Sequence, residues 1–313
     1  MGDVIQSVLA PAGIQAARIA HLWWVMFWVC TVVFILVVGA MAIAVTRGRR
    51  GASDAGHRVL SRNVAIATAA SIAALLVLLT HSVVTGRALE TLKTPDALRI
   101  QITGYQWWWD VEYLNPQPSL RAVTANEIHI PVGRPVGLTL LSSDVIHSLW
   151  IPNLHGKIDL IPGRVNEMWI QADRPGVYRG QCAEFCGLQH AKMAITIVAE
   201  PPDQFEGWVA HQREPAPPPT LPSQQRGLDI VERGPCAMCH TIAGTTAGGR
   251  TAPDLTHIAS RSTLAAGTVP NTRGYLAGWI VDPQHVKPGN KMPPLALSSS
   301  DLQALLDYLE TLK

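Results

Sequence analysis

The sequence predicts a multidomain chain: a two-helix transmembrane hairpin, then a β-barrel or sandwich, then an all-α domain. Three observations predict it. Two long runs near the N-terminus carry no charge, the pattern then shifts to short β-branched and aromatic runs, and beyond a proline-rich stretch apolar residues return at helical spacing. At 313 residues the chain is also too long for one small domain.

The hairpin comes first, within residues 1–94. Leu22–Val45 ("LWWVMFWVCTVVFILVVGAMAIAV") and Val64–Val84 ("VAIATAASIAALLVLLTHSVV") are free of Asp, Glu, Lys and Arg, and each is long enough for the ~20 apolar residues a spanning helix needs. A signal peptide fits the first run poorly, because it lacks a basic start and a second span follows. Between the runs lie Arg47, Arg49, Arg50, Arg58 and Arg62 against Asp54, whereas only Arg18 precedes the first. The positive-inside rule then puts the connecting loop in the cytoplasm, with both termini and everything after residue 90 outside.

Residues 95–200 hold "RIQITGYQWWWDVEY", "NEIHIPVG", "PVGLTLLSSD" and "VNEMWIQA", short runs separated by Pro and Gly that read as strands. Residues 201–224 contain prolines at 201, 202, 215, 217, 218, 219 and 222 and read as a semi-rigid extended spacer. In residues 225–313, "QQRGLDIVERG", "TRGYLAGWIVDP" and "SSSDLQALLDYLETLK" have helical periodicity, with Ser300 or Asp301 as cap of the last.

A formal net charge of +2 gives no argument for a nucleic-acid partner, and five cysteines are too few for a disulfide scaffold. Four of the five form close pairs, Cys182/Cys186 and Cys236/Cys239; Cys30 lies in an apolar run as packing. The first pair sits in "GQCAEFCGLQHAKM". Two thiolates can bridge two metal ions, each then needing a nitrogen ligand and a weak axial group, and thiolate, imidazole and thioether together suit copper. Cys182, Cys186, His190 and Met193 supply all but one imidazole, for which His147 in "SSDVIHSLWIP" is the best candidate. Zinc remains an alternative, although Met is a poor zinc ligand, as does a Cys182–Cys186 disulfide.

The second pair forms "CAMCH", Cys236 to His240, the pattern of covalent c-type haem attachment with His240 as proximal ligand. A redox or zinc Cys-x-x-Cys is the alternative, but no second such pair exists. Met292 in "VKPGNKMPP" is the candidate distal ligand, since Met/His ligation raises the haem potential; Met238 lies inside the attachment loop.

The string from His147 through Cys182-x-Glu184-x-Cys186-x-x-x-His190-x-x-Met193 resembles subunit II of the haem–copper cytochrome c oxidases over roughly residues 15–200. The resemblance implies a cupredoxin-like barrel holding a binuclear copper A centre, with the Glu184 backbone carbonyl as a ligand. It also allows the Glu184 side chain a place at a magnesium site shared with subunit I. Trp107 in "GYQWWWDVEY" matches the family's electron-entry tryptophan, and Asp144 and Glu112 match acidic positions near its docking surface or subunit interface. Tyr105 departs from relatives that carry His there. Residues 227–313 resemble a class I cytochrome c, which implies a hydrogen bond from His240 to the Pro253 carbonyl and makes Tyr275 and Trp279 haem-pocket candidates. Together the parts resemble subunit II of caa3-type oxidases in a bacterial inner membrane. That resemblance implies haem c as cofactor, oxidase subunits I and III as partners with a cytochrome c-type donor, and electron relay towards oxygen reduction and proton pumping in subunit I. The alternatives are the small subunit of a copper A-containing nitric oxide reductase and a copper- or haem-assembly protein.

Overall fold

The computed structural model describes residues 4–47, 55–89, 94–95 and 97–313; Arg49, Arg50 and Asp54 of the basic loop lie outside them. The chain divides into two compact units, residues 17–91 and the remainder. In the first, α1 (Ile14–Arg47) and α2 (Ala55–Leu89) contain the two charge-free runs and extend them at both ends. Both qualify as membrane spans by length and hydropathy. Their apolar side chains, Phe34, Leu36 and Leu75 among them, are exposed rather than packed in a protein core, the pattern of a helix whose solvent is lipid. Trp23, Trp24, Phe27 and Trp28 cluster with ring centroids 4.6–5.6 Å apart, as aromatic residues do at the headgroup level.

The second unit begins with β1 (Val4–Ile5) and continues into a two-sheet sandwich. One sheet has the order β4 (Ala122–Ala125), β3 (Trp108–Tyr113), β2 (Leu98–Tyr105), β6 (Val136–Ser142), β9 (Asn166–Ile170). The other has the order β5 (Glu127–Pro131), β11 (Ala194–Glu200), β10 (Gly176–Cys182), β7 (His147–Trp150), β8 (Ile158–Leu160), with β1 also paired to β10. The β2–β6 and β5–β11 pairs are parallel. This is the cupredoxin-like barrel. Alternation decides its faces: Ile100 and Ile102 of β2, and Trp109, Val111 and Tyr113 of β3, point into one core with Ile128, Leu138, Leu149 and Tyr178. Along β10 the same period carries Tyr178, Gly180 and Cys182 inward.

The proline-rich segment is not extended throughout. Pro202–His211 forms helix α3, with Pro202 at its first position, where a missing N–H costs nothing. Phe205 and Val209 are buried in the barrel core, and Trp208 stacks on His129 with ring centroids 4.1 Å apart. The following residues also find partners, Ala216 N donating to Ala243 O at 2.9 Å. The segment therefore packs on both neighbours instead of spacing them apart.

The C-terminal region is all-α apart from a short ladder: α4 (Pro222–Arg233), α5 (Cys236–Cys239), α6 (Arg273–Val281), α7 (Pro283–Val286) and α8 (Ser299–Leu309). α4 and α8 cross closely at Gly227, where an added Cβ would lie 2.2 Å from Ala304 O. Ser298, not Ser300 or Asp301, caps α8: it keeps extended backbone angles and its hydroxyl accepts from Asp301 N at 3.1 Å.

Candidate metal and haem centres

Strand pairing brings the first site together. β7 and β10 are antiparallel with Cys182 opposite Leu149. His147 stands two residues before Leu149 on the same face, so its ring reaches Cys182 as a diagonal neighbour. Gly104 makes room for it, since a Cβ there would meet the His147 ring at 2.8 Å. The remaining residues occupy the connection from β10 to β11, closed by Cys182 N donating to Met193 O at 2.8 Å. Gly187, at φ +110, turns that loop beneath Trp107, whose ring leaves a Cβ only 3.1 Å.

Two sulfurs form the centre. Cys182 Sγ and Cys186 Sγ are 3.8 Å apart, far beyond the ~2.05 Å of a disulfide, and both thiols are free. Around Cys182 stand His147 Nδ1 at 3.9 Å and the Glu184 carbonyl at 3.2 Å. Around Cys186 stand His190 Nδ1 at 3.7 Å and Met193 Sδ at 3.9 Å. The side-chain atoms of His147, Cys182 and Cys186 lie within 4.8 Å of one another, all buried. The donor set, two thiols, two imidazole nitrogens, a thioether and a carbonyl, fits soft or borderline metal ions such as copper. The contact between the sulfurs makes the pair lose one proton more readily than an ordinary thiol and hold the second more tightly.

A partly buried frame holds these residues. Asp144 Oδ1 accepts from His147 Nε2 at 2.8 Å, and its Oδ2 accepts from Gln106 N at 2.8 Å. Burial pushes the Asp144 carboxyl up, but its bonds with His147, Gln106 N and Val145 N outweigh this and hold it below the usual range. Trp107 Nε1 and Gln106 Nε2 both donate to Cys186 O, at 2.9 and 2.8 Å. The sequence pointed to Asp144 as a docking position, and its bond to the ligand histidine went unread; an acidic residue three positions before His147 was the available signal. Glu112, the other acidic candidate, pairs instead with Arg121 at 3.1 Å. The Glu184 side chain is half-exposed, 3.8 Å from Lys157.

The second site is a cavity of about 330 Å³ lined by Cys236, Cys239, His240, Pro253, Arg261, Trp279 and Met292 among others. α5 presents both thiols, and Gly249 lets the chain pass the attachment loop, a Cβ there falling 2.5 Å from Met238 and Cys239 backbone atoms. His240 Nδ1 lies 2.7 Å from Pro253 O, leaving Nε2 for a ligand; burial holds the ring's pKa below the ordinary histidine value. Met238 is 72 % exposed. Trp279 lines the cavity, whereas Tyr275 is absent from its lining and exposed. The residues fit haem c: two thiols and an oriented imidazole share the cavity with a thioether, and the buried Arg261 lines it with Nε unpartnered, a donor left for an anionic substituent.

The chain thus joins two helices long and apolar enough to cross a membrane, a cupredoxin-like domain with a paired-thiol loop and a cytochrome c-like domain. Two families match the chain: "Cytochrome C oxidase subunit II, periplasmic domain" over residues 115–200 and "Cytochrome c" over residues 224–313. The chain is 35 % identical to the cytochrome c oxidase subunit 2 of Alkalihalophilus pseudofirmus over 325 aligned positions, covering 100 % of this chain and 92 % of that protein. It is 30 % identical to the cytochrome c oxidase subunit 2 of Bacillus subtilis, over 71 % of this chain and 64 % of that one. Among solved structures it is similar to the periplasmic domain of subunit II of the cytochrome oxidase of Bradyrhizobium japonicum, at 33 % identity and a TM-score of 0.36, over 39 % of this chain and 97 % of that one. The chain belongs to the cytochrome c oxidase subunit 2 family, in the form that carries a fused cytochrome c domain. It is part of a haem–copper oxidase complex with other subunits, its domains imply copper and haem c, and its two apolar helices and periplasmic-type domain fit a two-pass inner-membrane protein.

Proposed function

We propose that the chain relays electrons singly from a cytochrome c-type donor to haem c, then to a binuclear copper A centre, and on to the haem of subunit I, where oxygen is reduced to water with proton pumping. When bound, haem c and the copper pair supply reversible one-electron chemistry. The chain's residues hold and orient them. Cys182, Cys186, His147, His190, Met193 and the Glu184 carbonyl would hold the copper centre. Cys236 and Cys239 would hold the haem covalently, and His240 and Met292 would supply its iron with an imidazole and a thioether. Asp144 fixes the His147 ring and Pro253 fixes that of His240, as partners of ligand histidines do. Trp107 touches both ends of the path: it lines the haem cavity and hydrogen-bonds Cys186 O.

In this reading both termini and both redox domains lie on the periplasmic side, subunit III accompanies subunit I, and the half-exposed Glu184 side chain is offered to a magnesium ion at the subunit I interface. The named relatives are oxidase subunits, which favours oxygen over nitric oxide as the terminal substrate.

The observation that carries the proposal is the pair of donor sets around two sulfurs 3.8 Å apart. Electron paramagnetic resonance of the oxidised, copper-loaded protein tests it. The expected spectrum is that of one unpaired electron shared equally by two copper nuclei, lost in His147→Ala while the haem spectrum persists. A mononuclear pattern, or a copper spectrum unchanged in His147→Ala, overturns the ligand assignment.

A further inference from the structure

The haem cavity is not closed by the cytochrome domain alone. Tyr105, Gln106, Trp107, Trp108 and Asn126 of the barrel also line it. The chain segment just before Met292, "VKPGNK", is meshed with the copper-ligand loop. Val286 O accepts from Lys192 Nζ at 2.6 Å, and Pro288 O accepts from Gln189 Nε2 at 2.5 Å. Gly289, at φ +81, lies so close that a Cβ would meet the Leu188 side chain at 2.9 Å. Lys291 Nζ is 3.5 Å from Asp144 Oδ2, the carboxylate whose other oxygen holds His147.

At the centre of this mesh is Lys287. Only 3 % exposed, its Nζ donates to Trp107 O at 2.6 Å and to Ala265 O at 3.1 Å. A buried amine is costly unless its donors are used, and a lysine in an ordinary cytochrome surface loop needs no such place. Here it joins two cytochrome segments, residues 265 and 287, to the backbone of Trp107, which with Gln106 hydrogen-bonds Cys186 O.

We propose that Lys287 is a positioning residue that seats the Met292 loop on the Trp107 face of the barrel, holding the two redox sites at a fixed separation. The inference rests on the relay reading above and adds its interface. It also reassigns Trp107. The residue is 7 % exposed and faces the haem cavity, so it receives electrons from this chain's own haem, and an external donor is served at the haem instead. The linker then has little tethering to do, since the cytochrome domain is docked rather than searching.

The test uses the assembled oxidase with copper and haem loaded, comparing wild type with Lys287→Ala, with Lys287→Met as a variant that keeps the side-chain volume, and with Lys291→Ala, which removes an exposed lysine of the same mesh. Two quantities are read: haem-to-copper transfer after photoreduction of haem c, and hydrogen exchange of the amides of residues 105–109 and 286–292. The expected result at Lys287 is transfer slowed by about several-fold or more, because the two sites are no longer held at one separation, with faster exchange in both segments. The haem absorption and copper resonance spectra should stay as in wild type, and Lys291→Ala should change transfer less than Lys287→Ala. Transfer within about twofold of wild type, or unchanged exchange, in both Lys287 variants overturns the proposal. If the wild type itself shows no haem-to-copper transfer, the relay reading fails, and the exchange comparison alone decides the seat.

Discussion

Asp144 shows how much one side chain does at this site. It accepts from the outer nitrogen of His147, from the Gln106 amide and from the Val145 amide, and it faces Lys291 of the cytochrome domain. Asp144→Ala leaves a buried imidazole N–H without an acceptor, which costs about 1–3 kcal/mol of barrel stability. It also frees the ring to turn, and loss of such a partner weakens metal binding by roughly 10- to 100-fold. Competition for copper against a chelator of known affinity measures this; equal affinity in wild type and variant contradicts the role. The candidate ligands were legible as a group because Cys182, Cys186, His190 and Met193 lie in one hairpin loop, close enough to read as a string. His147 was inferred across a gap of 35 residues only because the string lacked an imidazole. Lys287 and Gln106 were not legible at all. Their partners, Trp107 O and Cys186 O, are backbone atoms far along the chain, and nothing in a one-dimensional pattern marks a carbonyl as an acceptor.

At the scale of elements, α3 is where the sequence misled. Seven prolines in one segment suggest an extended spacer, yet Phe205, Trp208 and Val209 stand at helical spacing, and the prolines flank the helix without interrupting it. Period-2 and period-3.6 patterns elsewhere were stronger signals than proline density, and the strands of the barrel followed theirs. The same helix caps a charge cluster. His129 on β5 lies 2.9 Å from Glu200 on β11 and 3.4 Å from Glu127, and Trp208 covers its ring. Glu127 in turn accepts from Ser262 N of the cytochrome domain at 3.1 Å. Burial pulls the His129 pKa down, but its bonds with Glu127 and Glu200 outweigh this and raise it above 6.5. Burial pushes Glu127 up, and its bonds with His129 and Ser262 take it below 4.5. A raised histidine contributes stability that is full below pH 6.5 and is lost as pH rises through the folded-state value. A lowered glutamate contributes stability present above pH 4.5 and lost as pH falls through its own. The cluster therefore supports the barrel most between these limits. Thermal unfolding across pH checks this: the alkaline-side loss should shrink in His129→Gln, and an equal loss in variant and wild type contradicts it.

For the whole molecule, the order membrane hairpin, barrel, cytochrome was readable because each part carries its own signal: charge-free runs, alternating strands and a Cys-x-x-Cys-His motif. How the last two meet was not, since the meeting is made by side chains and carbonyls far apart along the chain. The docked arrangement gives the account its central claim, that electrons pass through haem c before reaching copper. The measurement that tests it most directly is rapid mixing of the fully oxidised, assembled oxidase with a limiting amount of reduced donor, following the haem c and copper A absorption bands separately. The account predicts that haem c is reduced first and reoxidises as copper A is reduced, at a rate independent of donor concentration. Reduction of copper A without prior reduction of haem c would contradict it.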